Sequence, residues 1–267
     1  MTENLCIYHG NCIDGFTAAW CVWRRWGADA EYVPGIYGNA PPDVTGKNVV
    51  IVDFSYPRAQ LLEMKAKAKT LEVLDHHKTA EADLQGLDFC LFDMNRSGAR
   101  LAEDSFSFGP SPLVAYVQDR DLWRFRLTGS KEINAWIGSL QQDFQEWSRA
   151  DVALYSSFDT CVAQGTALLR AVDRYVSEMA KQAQALEFAG HGAIPIVNAP
   201  YINTSELVGH LAESAPFAVG WFQRGDGKYQ YSLRSRGDFD VSELAKRFGG
   251  GGHRQAAGFV VAERVSG

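Results

Sequence analysis

The chain has 267 residues, of which 46% are hydrophobic and 22% are charged, and its formal net charge is −6. This balance is typical of a globular protein with room for two domains. The acidic charge excludes a strongly basic nucleic-acid scaffold, although a short oligonucleotide or a nucleotide remains compatible with it.

The cysteine count and the hydropathy pattern indicate where the protein works. Its five cysteines are odd in number and form no CxxC pair, which argues against a disulfide framework and favours a reducing compartment. We find no stretch of about 20 apolar residues and no signal peptide at the N-terminus. We therefore expect a cytoplasmic protein without a membrane partner.

Predicted strands and helices alternate over the first third of the chain. The strands are expected at residues 4–9, 30–33, 48–54, 71–74 and 88–92. Helices are expected between them at 15–26 and 58–69, and after them at 97–106 and 111–117. This rhythm predicts an α/β domain over residues 1–150, with a mainly parallel sheet flanked by helices.

The pattern then changes to one long helix. Apolar side chains recur every three or four residues from 151 to 186, which predicts a linker helix over 151–187. A coiled-coil dimer arm is the alternative, so a homodimer stays open. Residues 188–267 are predicted to form a smaller mixed α/β domain, with a hairpin of 218–224 and 228–234 around Gly225-Asp226-Gly227.

Three of the predicted strands end on groups that bind metals. His9 and Asp14 follow the first strand, Asp53 ends the third, and Asp75, His76 and His77 follow the fourth. Ligand sites gather at the carboxyl ends of parallel strands. Each group alone is more often a cap or a loop residue, but three clusters together favour a centre for divalent metals. A pair of such metals activates phosphoryl chemistry, with Asp53 placed to bridge them.

A glycine run near the C-terminus suggests an anion site. The run 249–252 precedes His253, and glycines let backbone N–H groups approach an anion closely. Arg234 could add a bidentate fork. A helix cap followed by a tight turn is the alternative, but four glycines exceed what a turn needs. The segment NRSGA (95–99) precedes a helix, whose N-terminus also attracts phosphate.

These motifs resemble those of one family. HGNCIDG (9–15), VDF (52–54), LDHH (74–77) and YVQDRDLW (116–123) are similar to the four ordered motifs of the DHH phosphoesterase superfamily. SLRS (232–235) and GGGGHRQAAGF (249–259) resemble its DHH-associated C-terminal domain. The resemblance spans most of the chain, and the combination of DHH with the downstream glycine motif is highly specific.

The resemblance implies a hydrolase with two divalent metals, in the first place two Mn²⁺, with Mg²⁺ and Co²⁺ as alternatives. His9 and Asp53 would hold one metal. The other would be held by four residues: Asp14, Asp53, His76 and Asp119. Asp75 would support this shell and His77 would face the scissile phosphate. Substrate would be bound by Arg234, Gly250, Gly251, Gly252 and His253.

The chain departs from the family at one metal position. The family usually has an aspartate two residues before Asp14, where this chain has Cys12. A thiolate there could bind a soft-tolerant metal, or Cys12 is simply a small buried thiol. Asp119 is preferred to Asp121 because it follows the apolar run 113–117, and Asp121 is assigned to a cap or to a pair with Arg120. The secondary candidates are Asn11, Cys12, Arg96 and Asp121.

The sequence thus predicts a metal-dependent phosphodiesterase that cleaves short oligonucleotides or cyclic or linear dinucleotides, using a hydroxide activated by two metals. A pyrophosphatase or polyphosphatase is one alternative. A nucleotide-binding protein with a degenerate site is another, which Cys12 keeps open.

Overall fold

The alternating strands of the first third pair side by side into one parallel sheet. Its strands are β1 (Asn4–His9), β2 (Ala30–Gly35), β3 (Asn48–Val52), β4 (Thr70–Asp75) and β5 (Cys90–Phe92). Their spatial order is β2-β1-β3-β4-β5 and every neighbouring pair is parallel. The predicted α/β fold with a mainly parallel sheet is therefore confirmed. This computed structural model describes residues 2–106 and 109–265.

The strand order reverses at β1. The strand β2 pairs with one edge of β1 and β3 with the other, so the two connections leave in opposite directions. A crevice forms outside the carboxyl ends of the strands at such a switch point, and ligands bind there. His9 is the last residue of β1 and Asp53 directly follows β3, so both lie at this crevice.

Helices cover both faces of the sheet. They are α1 (Ile13–Trp26), α2 (Arg58–Lys67), α3 (Lys78–Asp83), α4 (Gly98–Phe106), α5 (Pro112–Asp121), α6 (Ser130–Gly138), α7 (Phe144–Ser156) and α8 (Phe158–Ala180). Side chains alternate along β1: Cys6 packs into one apolar cluster, while Leu5 and Ile7 pack into the other. This period of two is what a sheet buried on both faces requires.

The predicted single helix over 151–186 is wrong. The structure has α7 and α8, separated at Ser157, whose φ of −144° and ψ of 34° are not helical. The α8 helix ends at Ala180, and a strand begins at Gln184. Both helices carry apolar residues at helical spacing. This spacing continues across Ser157, so the sequence pattern does not reveal the break. The chain divides into two compact units, with the boundary between Leu169 and Arg170 inside α8.

The second unit contains a mixed sheet. Its strands are β6 (Gln184–Phe188), β7 (His191–Asn198), β8 (Ala218–Gln223), β9 (Tyr229–Arg234), β10 (Gly251–His253) and β11 (Ala256–Val261), with helices α9 (Thr204–Leu211) and α10 (Val241–Lys246). The order is β10-β11-β9-β8-β7-β6. Only β7 and β8 pair in parallel among these described strands. The predicted hairpin is confirmed as β8 and β9.

Among the residues that the structure describes, no helix is both long enough and apolar enough to cross a membrane.

A packing test follows from the contact between α8 and α6. A Cβ added at Gly165 would overlap the backbone carbonyl of Glu132, and the backbone cannot move aside as a flexible side chain would. We expect Gly165→Ala to lower the free energy of unfolding by about 1–3 kcal/mol. Denaturant unfolding followed by tryptophan fluorescence measures this, because six of the seven tryptophans precede Leu169.

Gly138→Ala is the matched control, because Gly138 is a helical glycine of the same unit and its added Cβ would meet only Ile13, at an ordinary contact distance of 3.5 Å. We expect it to leave the midpoint unchanged or slightly raised. An unchanged midpoint in Gly165→Ala would show that the contact between α6 and α8 is not tight.

Candidate metal centre

The carboxylate of Asp53 stands at the centre of the site. Asp53 follows β3 with a φ of +54°, in the left-handed region that few residues other than glycine adopt. Strained backbone of this kind concentrates at functional sites. Asp53 is 1% exposed. A Cβ at Gly98 would overlap its side chain, so the first turn of α4 can pass this carboxylate only because residue 98 is glycine.

Three carboxylates surround the imidazole of His76. Its Nε2 lies 3.0 Å from Oδ1 of Asp53, 3.5 Å from Oδ2 of Asp121 and 3.8 Å from Oδ2 of Asp14. The four side chains come from four different elements: the start of α1, the ends of β3 and β4, and the end of α5. The fold therefore brings together groups that are far apart in the sequence.

The cluster carries more negative charge than its own groups neutralise. The Oδ2 atoms of Asp14, Asp53 and Asp121 are buried and accept no hydrogen bond within residues 2–106 and 109–265. Leaving buried carboxylate oxygens without hydrogen bonds is costly. A divalent cation would satisfy them, and ligand atoms of Asp14, Asp53 and His76 lie within 4.8 Å of one another. The donor set of oxygens and one nitrogen suits such a cation.

The pKa values follow this charge pattern. Burial, together with the charges of Asp121 and Asp53, raises the pKa of Asp14 well above its usual value. Burial also raises the pKa of Asp121, although His76 partly offsets it. Burial alone would lower the pKa of His76, but Asp121 and a bond to Asp53 raise it to about 10. For Asp53, the hydrogen bond with His76 and the nearby imidazole of His9 outweigh burial and hold the pKa well below its usual value.

A second group of ligand atoms shares Asp53. His9, Asp53 and His77 each offer an atom within 4.8 Å of the others, and Nδ1 of His9 lies 3.4 Å from Oδ2 of Asp53. Burial, followed by the Asp53 charge, raises the pKa of the Cys12 thiol.

The carboxylate of Asp75 fixes the orientation of His77. Its Oδ1 accepts the Nδ1–H of His77 at 2.7 Å and the backbone N–H groups of His76 and His77 at 2.7 and 3.3 Å. Because Nδ1 carries the proton, Nε2 of His77 is the nitrogen that can meet a metal or a phosphate. Asp75 is fully buried and supports the site through this contact.

The structure brings Asp121, and not Asp119, to the cluster, which corrects the preference for Asp119. The carboxylate of Asp119 accepts the backbone N–H groups of Arg126 at 3.0 Å and Leu127 at 3.1 Å and the hydroxyl of Ser130 at 2.6 Å. Residues two apart lie on opposite sides of a helix. Asp119 therefore joins the end of α5 to the start of α6, while Asp121 faces His76.

The segment 95–99 supports the carboxylates from the side of α4. The backbone N–H of Ala99 donates to Oδ1 of Asp14 at 3.2 Å. Arg96 pairs with Asp93 and Asp104, both at 2.8 Å, so its guanidinium is already engaged by two carboxylates. Asn11 is exposed in the turn between β1 and α1, at a φ of +59°. The sequence did not predict the role of Gly98. The one indication in the sequence is that a glycine stands at the start of a predicted helix.

The glycine run 249–252 has a packing role. Four consecutive glycines are therefore weaker evidence for an anion site than the sequence suggested. The N–H groups of Gly249 and Gly250 donate to Lys246 and Ala245 at the end of α10. A Cβ at Gly250 would overlap the carbonyl of Gly258, and one at Gly252 would lie 2.6 Å from the carbonyl of Ala256. The glycines thus let β10 approach β11, and the N–H of Gly250 is not available to an anion, which corrects that assignment.

Other predicted substrate residues lie in the same unit. Gly251, Gly252 and His253 form β10 and pair with β11. Nη2 of Arg234 donates to the Ser205 hydroxyl at 2.7 Å, and its Nη1 donates to the carbonyl of Leu233 at 2.8 Å. Arg234 is therefore held beside the start of α9, and two of its guanidinium nitrogens already donate hydrogen bonds within the protein.

Comparisons with known proteins agree with the fold. A model of the DHHA1 domain matches residues 198–265. The chain is 30% identical over 282 residues to uncharacterized protein R106 of Acanthamoeba polyphaga mimivirus. This match covers 94% of the chain, which spans 66% of the length of that relative.

Three solved structures share the fold at low identity. RecJ of Thermus thermophilus, in complex with Mn²⁺, has a TM-score of 0.52 and 15% identity, over 97% of this chain and 50% of RecJ. The pGpG-specific phosphodiesterase PggH of Vibrio cholerae has a TM-score of 0.51 and 14% identity, and the match covers 97% of this chain and 93% of PggH. An exopolyphosphatase-related protein of Bacteroides fragilis has a TM-score of 0.52 and 11% identity, and the match covers 99% of this chain and 88% of that protein.

The assignment of Asp121 and Asp119 is tested by thermal unfolding with and without Mn²⁺. We expect Asp121→Asn to lose most of the rise in melting temperature that Mn²⁺ causes, because a ligand oxygen is removed. Asp119→Asn should lower the melting temperature under both conditions, since it loses charge-assisted hydrogen bonds worth about 1.5–3 kcal/mol each. It should retain the rise with Mn²⁺. The opposite pattern would restore Asp119 as the ligand.

Charge repulsion within the cluster gives a second test. We expect Asp14→Asn to raise the melting temperature in EDTA, because it removes one of three buried carboxylates while an amide oxygen can still accept from Ala99. The same variant should reduce the stabilisation by Mn²⁺. Differential scanning calorimetry in EDTA and in Mn²⁺ measures both effects. A lower melting temperature in EDTA with an undiminished Mn²⁺ effect would contradict the account.

Proposed function

Because the chain belongs to the DHH superfamily and carries a DHHA1 domain, we propose that it is a divalent-metal-dependent phosphoester hydrolase whose substrates are short oligonucleotides or dinucleotides. The observation that carries the proposal is the set of buried carboxylate oxygens around His76 that accept no hydrogen bond from the described residues. A fold maintains such costly groups where a ligand repays the cost.

One cation would be held by Asp14, Asp53, His76 and Asp121. A second would be held by His9 and Asp53, with Cys12 beside them and His77 at the edge. Asp53 would then serve both, as a bridging carboxylate. A bound divalent metal such as Mn²⁺ would polarise a phosphoryl oxygen and make a bound water more acidic at neutral pH.

The remaining site residues orient and exchange protons. Asp75 holds the Nδ1–H of His77, so Nε2 of His77 is set to hydrogen-bond a phosphoryl oxygen or the leaving oxygen. Nε2 of His77 would take a proton from the attacking water and pass it to the leaving oxygen, while Asp75 holds the ring through Nδ1–H. In the second unit, Arg234, Gly251, Gly252 and His253 are the residues that we assign to substrate binding.

One of the similar folds supports the choice of nucleotide substrates, and another supports the choice of a divalent metal. PggH is named as a pGpG-specific phosphodiesterase, and RecJ was solved with Mn²⁺. A phosphoanhydride substrate is the second candidate, because the third similar fold is related to exopolyphosphatases. Mononucleotide products indicate a phosphodiesterase, whereas orthophosphate alone indicates a phosphoanhydride hydrolase.

The proposal is tested with a product-resolved assay on dinucleotides, short RNA, cyclic dinucleotides and pyrophosphate, with Mn²⁺, Mg²⁺ or Co²⁺. We expect mononucleotide release that EDTA abolishes. Asp53→Asn should lower kcat at least about 100-fold, because one carboxylate serves both metal positions.

The matched control is Asp88→Asn, since Asp88 is an exposed carboxylate of the same unit. It should keep full activity. Metal binding without turnover on any phosphoester, with tight nucleotide binding that Asp53→Asn leaves unchanged, would instead favour a nucleotide-binding protein with a degenerate site.

A further inference from the structure

A slot beside the metal centre has the chemistry of a nucleobase site. It lies in the first unit and has a cavity volume of about 90 Å³, smaller than a pocket that encloses a whole ligand, so it suits one flat group. The side chains that define it are Tyr37, Asn39, Phe54, Tyr56, Pro57 and Gln60. We propose that this slot binds the base of the nucleotide whose phosphate lies at the metal cluster, an inference that rests on the proposed function.

The position of the slot follows from the chain itself. Phe54 directly follows Asp53 along the sequence and Tyr56 comes three residues after it, so the floor of the slot is continuous with the segment that carries this carboxylate. The ring of Tyr37 lies 4.6 Å from that of Phe54 and meets the His9 ring edge-on at 5.5 Å. The wall of the slot thus borders the metal cluster, within the reach of one nucleotide.

The lining favours a flat, uncharged, polar-edged group. Aromatic rings stack on any base, because every base has a π-face. The side-chain amides of Asn39 and Gln60 each offer both a donor and an acceptor, which is how proteins read the edge of a base. Within the described parts of the chain, neither amide makes a hydrogen bond to the protein.

The same lining disfavours phosphate as the occupant. None of the described residues that line the slot is charged, and a phosphate would bring two or more negative oxygens without a cationic partner. A polyphosphate chain would therefore gain nothing from this slot. Tyr37 is 54% exposed, so one face of its ring can still be covered by a ligand.

The test compares two ligands that differ only in the base. Equilibrium binding of adenosine 5′-monophosphate and ribose 5-phosphate is measured in Mn²⁺, with the wild type and with Tyr37→Ala and Tyr37→Phe. We expect the wild type to bind the nucleotide about tenfold more tightly than the sugar phosphate. Tyr37→Ala should remove that difference and leave ribose 5-phosphate binding unchanged, while Tyr37→Phe should preserve it.

Tyr155→Ala is the matched control, because Tyr155 is another exposed tyrosine of the same unit, on α7, and contacts Pro110. It should behave as the wild type. The proposal is overturned if the wild type binds both ligands equally, or if Tyr37→Ala weakens both by the same factor.

Kinetics separate this inference from the proposed function. A dinucleotide and its counterpart without the base should be cleaved with KM values that differ in the wild type and converge in Tyr37→Ala. Equal KM values in the wild type would refute the slot while leaving the hydrolase intact. If no phosphoester is cleaved at all, the hydrolase fails, and the difference in binding between the two ligands still decides the slot.

Discussion

The electrostatic cost of burying three carboxylates around one imidazole is the constraint on which the site depends. His76 neutralises part of the charge of Asp14, Asp53 and Asp121, and the oxygens that accept no hydrogen bond make this cluster costly to maintain by itself. In the proposed function, a divalent cation would reverse this balance, because the same oxygens would become its ligands. The arrangement that destabilises the protein alone is thus the one that would favour metal binding.

The backbone around Asp53 is built to tolerate this arrangement. The reversal of strand order at β1 opens the crevice, and Asp53 enters it through a left-handed turn directly after β3. Gly98 then lets α4 approach so closely that the N–H of Ala99 reaches Asp14. Phe54 and Tyr56, which follow Asp53, line the adjoining slot, so one short segment contributes both to the carboxylate cluster around His76 and to the proposed base site.

The sequence predicts best what depends on local pattern. Strand ends placed His9, Asp53, Asp75 and His76 at one sheet edge, since parallel strands share their carboxyl ends. The choice between Asp119 and Asp121 failed because it depends on which face of α5 meets the sheet. The glycine run was interpreted as an anion site, although its close contacts with β11 appear only in the folded backbone. The sequence did not indicate a role for Tyr37, because residues in loops show no periodic hydrophobic pattern.

Anomalous diffraction from crystals grown with Mn²⁺ tests the central claim most directly. The account predicts a strong peak bonded to Asp14, Asp53, His76 and Asp121, and a second peak beside His9 that shares Asp53. A protein that hydrolyses phosphoesters with its manganese bound elsewhere, or bound through Asp119, would contradict it.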